Sequence, residues 1–175
     1  MLFDPFVGTT FDPRWSIGGT VTAGASVARF DARSGFAYLA YDDVPAITEV
    51  GFRGTIVEVA GGVHQFSVQF GETTKPDAEY CEVYGNPGLE LKITRLVGTD
   101  YSLIGSAPIS ALAPGPVSMR FRHTANGFSC ELANGGQTYL AEGAGDCAEP
   151  RSFTYLQFSQ FLVTVDAFVE VEPAP

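Results

Sequence analysis

Tyr80, Glu82 and Tyr84 stand at alternate positions of the run EYCEVYG, with Cys81 and Val83 between them. Side chains on a strand point to opposite faces in turn, so the two tyrosines and the carboxylate share one face. Aromatic rings cover the C–H faces of a sugar, and an acid between them accepts hydroxyl hydrogen bonds. The chemistry of this trio is therefore glycan binding. Gln65 and Gln69 of HQFSVQF, and Arg120 and Arg122 of VSMRFRH, also take the outward parity of their strands. If those strands join the same sheet, the amide and guanidinium groups widen the trio into a polar platform. The competing reading is a solvated sheet face with glutamate–arginine pairs across strands.

Hydrolysis has less support. Retaining glycosidases hold two carboxyl groups roughly 5–5.5 Å apart. In Asp77-Ala78-Glu79-Tyr80-Cys81-Glu82, Glu79 and Glu82 fall on opposite faces of one strand, so no pair forms. His64 and His123 lie far apart in strand patterns without a nucleophile motif, which removes a hydrolytic triad. The expectation is a non-catalytic protein that needs no cofactor. Asp42-Asp43, with Asp31 nearby, could supply oxygen ligands to calcium, but tandem acids at a strand end read first as a turn, so no metal is assigned. Trp15, the single tryptophan, reads as a core plug beside the opening strand rather than as a ligand platform.

The elements that must position these residues carry a period of two almost throughout. Phe66, Val68 and Phe70 alternate with the glutamines, and Leu89, Leu91 and Ile93 alternate with Glu90, Lys92 and Thr94. Near the C-terminus Val163, Val165, Ala167, Val169 and Val171 take one parity. Thr164, Asp166, Glu170 and Glu172 take the other, and Phe168 is the apolar exception among them. Gly54 reads as a bulge, and Asn126-Gly127 as a two-residue hairpin turn. The count is about ten to thirteen strands with essentially no helix, as expected of an antiparallel two-sheet β-sandwich or jelly roll. The first and last strands are expected to close it together. One domain spans 1–175, with 172–175 a frayed tail, since sandwiches of this length do not usually divide.

Composition bounds the partners. The net charge of −10 argues against nucleic acid and anionic membranes, whose phosphates need a basic surface. No apolar run reaches the roughly 18 residues of a membrane span. The start, MLFDPFVGTT, puts Asp4 where a signal peptide would be apolar. Cys81, Cys130 and Cys147 are too few for a disulfide framework, so all three are expected reduced, with Cys81 and Cys130 as small buried hydrophobes. A Cys130–Cys147 bridge closing a hairpin is the alternative.

The order of features resembles the concanavalin A-like lectin/glucanase superfamily, especially its laminin-G-like members. LFDPFVGTTFDPRW is similar to their opening segment, VTVDAFV to their closing strand, and VSMRFRHTANGFSCEL to a hairpin between. The glucanases of that superfamily carry glutamate-x-aspartate-x-glutamate on one strand, a pattern missing here. The opening is also similar to that of laminin-G-like phage tail and head proteins. The resemblance implies two antiparallel sheets packed face to face, one of them often used for glycans. It further implies a virion surface, decoration or adhesion protein, assembled in the host cytoplasm. Its partners would be other virion proteins or further copies of itself, together with a cell-surface glycan. The alternative is an extracellular, stand-alone carbohydrate-binding module, with a glycoside hydrolase third. For assembly, the outward parity of Phe168 or the Pro-rich 107–116 connection would supply an apolar contact.

Overall fold

Alternation of apolar and polar residues shapes fifteen strands in the computed structural model, which describes residues 2–4, 6, 10–24, 26–42, 47–71, 77–85, 88–124, 126–145 and 153–171. In chain order they are β1 (Leu2–Asp4), β2 (Trp15–Gly18), β3 (Thr20–Gly24), β4 (Val27–Asp31), β5 (Phe36–Asp42), β6 (Glu49–Val59), β7 (His64–Gly71) and β8 (Ala78–Gly85). They continue as β9 (Glu90–Val97), β10 (Asp100–Pro108), β11 (Gly115–Thr124), β12 (Gly127–Asn134), β13 (Gln137–Gly143), β14 (Phe153–Ser159) and β15 (Phe161–Val171). There is no helix among the described residues. The sequence pattern places the fold class correctly and undercounts the strands.

Two antiparallel sheets form the sandwich. One has seven strands in the order β10-β9-β8-β7-β14-β5-β2. The other has eight, in the order β13-β12-β11-β6-β15-β4-β3, with β1 added against β15. Leu2 pairs with Glu170, so the first and last strands do close the body together. At Gly19 the chain leaves the seven-stranded sheet as β2 and enters the other as β3. The turn needs a left-handed φ of 73°, and a Cβ there would strike the Phe36 carbonyl, so glycine is required.

The core lies between the sheets. Phe158 packs at its centre, with ring centroids 4.8 Å from Phe30, 5.3 Å from Phe52 and 5.9 Å from Phe66. Burying each such ring contributes about 1.5–3 kcal/mol. Trp15 is the expected core plug, buried against Tyr41 at 5.0 Å and Phe168 at 5.4 Å.

Four expectations are corrected. Phe168 is buried, because the register between β15 and β6 slips between Val165 and Ala167; the extra residue turns Phe168 inward to Trp15. Gly54 marks no bulge: it stays in register opposite Val117 and Val165, and β6 instead slips at Val57. Gly127 belongs to a strand rather than to the hairpin turn, since it pairs with Thr124 and opens β12.

The fourth correction concerns the cysteines. Cys81 on β8 and Cys130 on β12 form a disulfide across the core, with Cα atoms 5.5 Å apart. Both face inward as expected and are fully buried, but their strands belong to opposite sheets and bring them together. The alternative Cys130–Cys147 bridge falls with this pairing, and Cys147 itself lies outside the described residues, as do Asp43 and the 172–175 tail.

Candidate tyrosine-lined face

β7 is the middle strand of the seven-stranded sheet, and its outward residues set the floor of the candidate site. Phe66 and Val68 point into the core, so Gln65, Ser67 and Gln69 point out. On one side they lie opposite Tyr84, Glu82 and Tyr80 of β8; on the other, opposite Ser159, Gln157 and Tyr155 of β14. Five of the seven sequence positions expected to form a platform, Gln65, Gln69, Tyr80, Glu82 and Tyr84, therefore share one face. Ser67 and Gln69 are only 3% and 7% exposed, set between the outward side chains of β8 and β14.

Arg120 and Arg122 do not join them. Their strand, β11, pairs with β6 and β12 in the eight-stranded sheet, so both arginines lie on the opposite face of the molecule. There one carboxylate holds both: Arg120 Nε is 2.6 Å from Glu49 Oε1, and Arg122 Nε is 2.7 Å from Glu49 Oε2. A cleft of about 260 Å³ over Gly51, Ser118 and Ala167 also lies on that face, beside the Arg120–Glu49 pair.

The tyrosine face contains residues that local patterning did not single out. Tyr38 of β5 stacks on Tyr155 with ring centroids 5.0 Å apart, and Tyr101 of β10 meets Tyr80 at 6.2 Å. With strands about 4.8 Å apart, rings reaching from β5 to β10 span about 24 Å across the sheet. The parity of Tyr38 and Tyr155 was readable in GFAYLAYDD and FTYLQFS. Their adjacency was not, because β5 and β14 are distant in sequence.

Polar groups between the rings are held in place. Glu82 accepts from Thr94 Oγ1 at 2.7 Å and from Gln65 Nε2 at 3.2 Å. The Tyr155 hydroxyl donates to Gln157 Oε1 at 3.0 Å. Burial, then Tyr101 and Glu82 nearby, pushes the Tyr80 hydroxyl up to about 12. Burial likewise raises Tyr155, helped by Tyr38 and Tyr80. Both phenols therefore remain neutral hydrogen-bonding groups at ordinary pH. Lys92 pairs with Glu90 at 3.0 Å and sits 5.2 Å over the Tyr84 ring.

The acids keep to separate sides. Glu79 is fully buried and pairs inward with Arg95 Nε at 3.1 Å, whereas Glu82 faces outward on the same strand. The outward positions of β8 are Ala78, Tyr80, Glu82 and Tyr84, so Glu82 is its single outward carboxylate. Asp31 is held by Arg33 at 2.7 Å, and no cluster of three metal-ligating side chains occurs among the described residues. His64 and His123 belong to different sheets.

No family model matches the sequence, and no curated protein matches it. Solved structures do match. The CBM2 module of the evolved Dit of Lactobacillus casei BL23 phage J-1 is similar over 95% of this chain and 92% of its own, with a TM-score of 0.70 and 10% identity. A Bacillus licheniformis β-glucanase is similar over 98% of both chains, with a TM-score of 0.66 and 8% identity. The GH43 protein BlXynB of the same species matches 98% of this chain, with a TM-score of 0.68 and 13% identity. This chain spans only 39% of that protein's length. What these chains share with this one is the fold, an antiparallel two-sheet β-sandwich. At such identities the likeness reaches no further.

Proposed function

We propose that this chain is a non-catalytic, carbohydrate-binding β-sandwich that lays a glycan across the outer face of the seven-stranded sheet. The observation that carries this reading is the set of tyrosines, Tyr38, Tyr155, Tyr80, Tyr84 and Tyr101, ranged around Gln65, Gln69 and Glu82. Rings offer flat apolar surface to sugar C–H faces, and the amides and carboxylate offer acceptors to hydroxyls. Of the carboxylates on this face, Glu82 accepts from Thr94 and Gln65 and Glu90 pairs with Lys92, an arrangement that favours binding over a hydrolytic acid–base pair. The similar CBM2 module of a phage Dit adds support for carbohydrate binding on this fold.

The same neighbour motivates the wider proposal of a virion surface or adhesion protein, with other virion proteins or further copies of this chain as partners and a cell-surface glycan as ligand. The buried Cys81–Cys130 bridge favours a second reading, an extracellular stand-alone module, because disulfides persist in oxidising compartments. Co-sedimentation of the protein with intact particles separates the two.

Electrophoresis through gels containing soluble polysaccharides tests the binding itself. The wild type should be retarded by at least one glycan, and Tyr80→Ala and Tyr155→Ala should migrate freely. Release of reducing ends from the retained polysaccharide would replace the binding module with a hydrolase.

A further inference from the structure

We propose that Gln69 is the hydroxyl-reading centre of the tyrosine face, and that the face therefore selects an uncharged glycan over an acidic one. This inference rests on the carbohydrate-binding reading above and narrows it to a ligand class and a residue.

Gln69 is 7% exposed, and its Oε1 is buried without a hydrogen-bond partner among the described residues. Leaving a buried acceptor unmatched costs the desolvation of that group, so native proteins rarely tolerate one without a use. Neither tyrosine beside it donates to it. Gln69 lies between Tyr80 and Tyr155 across the sheet. The Tyr155 hydroxyl donates to Gln157, and the Tyr80 ring packs toward Tyr101, 6.2 Å between centroids. The unmet need is for a donor arriving from outside, in the gap between two rings that suit sugar faces.

The charges around the gap define the ligand further. Glu82 lies one row along the strands from Gln69 and offers carboxylate acceptors. The one cation among the described outward residues of this sheet is Lys92, and it is spent on Glu90 and the Tyr84 ring. A uronic acid or a sulfated sugar would meet Glu82 and the Gln69 oxygen with no guanidinium or free ammonium to balance it. A neutral sugar brings hydroxyl donors and no such conflict. Because Oε1 has no exposed surface, the ring of Tyr80 or Tyr155 must lean aside as the hydroxyl enters.

The test uses the full chain in gels containing neutral polysaccharides (barley β-glucan, arabinoxylan, galactomannan) or acidic ones (alginate, polygalacturonate). The wild type should be retarded by at least one neutral gel and by neither acidic gel. Gln69→Met keeps the side-chain length and removes the acceptor. It should weaken binding at least tenfold while melting no lower than the wild type, because the orphaned group is gone. In the wild type, the side-chain amide resonances of Gln69 should shift on titration with the retained glycan, a measurement that depends on no variant. Binding of Gln69→Met within twofold of wild type, with Tyr80→Ala inactive, would overturn the role of Gln69 and leave the carbohydrate-binding reading standing. Retardation by the acidic gels would overturn the ligand class, and no retardation by any neutral gel would overturn both.

Discussion

The two outer faces of this sandwich are built by the same alternation and differ in what their polar groups have left to give. On the eight-stranded sheet, charges satisfy one another: Glu49 holds Arg120 and Arg122, and Arg33 spans Asp31 and Glu58. On the outer face of the seven-stranded sheet, rings flank amides and a carboxylate, and the buried Gln69 Oε1 has no partner among the described residues. The comparison teaches that polarity alone does not mark a site on a sheet; unspent hydrogen-bonding capacity beside apolar plates does.

The largest effect should come from cutting the link between the faces. Replacing Cys81 and Cys130 together by Ala should lower stability by roughly 4 kcal/mol in urea unfolding, since the bridge closes a 49-residue separation. Next comes the tyrosine face itself. Tyr155→Ala should reduce glycan affinity at least tenfold, a loss of about 1.4 kcal/mol, with a stability change of about 1 kcal/mol because the side chain is only half-buried. A loss of several kcal/mol in stability would instead assign Tyr155 to the core. On the opposite face, Glu49→Gln should cost about 1 kcal/mol or less and leave glycan retention unchanged, since its arginines are partly exposed, 50% for Arg120 and 36% for Arg122. Lost retention there would erase the distinction between the faces.

Two pH effects sharpen the contrast. The folded state raises Tyr80 from 10.0 to about 12, so this contribution is complete below pH 10 and disappears as the pH rises through 12. Urea midpoints should fall across that alkaline window, and Tyr80→Phe should flatten the fall. In acid the sign reverses. Hydrogen bonds from Arg14 lower Asp12 from 3.8 to about 2, so its contribution is present above 3.8 and lost as the pH falls through 2. Asp12 is exposed, so this should be the smallest effect, seen as a carboxyl resonance titrating near pH 2.

What was readable in the sequence was local. Parity along β7 and β8 puts Gln65, Gln69, Tyr80, Glu82 and Tyr84 on one face because neighbouring strands joined by a short connection keep their register. Arg120 and Arg122 have the right parity and the wrong sheet. Between Pro108 and Gly115 the chain crosses from the seven-stranded sheet to the eight-stranded one, and no pattern of alternation reports a crossing. Asn134 anchors that passage by bonding Ala113 and the Pro116 carbonyl, which makes the Pro-rich stretch a fastened corner. Phe168 was misplaced by one extra residue at Asp166. β13 went unread because an edge strand with mostly exposed residues has little alternation to show. The cysteines were read with the correct facing and without their partners, because pairing across a core is a property of the folded whole.

The Cys81–Cys130 bridge also makes each molecule a record of its own history. Neither sulfur-bearing residue is accessible once the sheets have closed, so oxidant and reductant alike are shut out of the finished protein. A chain that folds in a reducing cytosol would carry two thiols into the core and keep them after transfer to air. One that folds under oxidising conditions would keep its bridge in the presence of mild reductant. The two forms would share one shape and differ in mass by the thiol hydrogens. Intact-mass measurement on material from its natural source would thus tell where the molecule folded as well as where it was found.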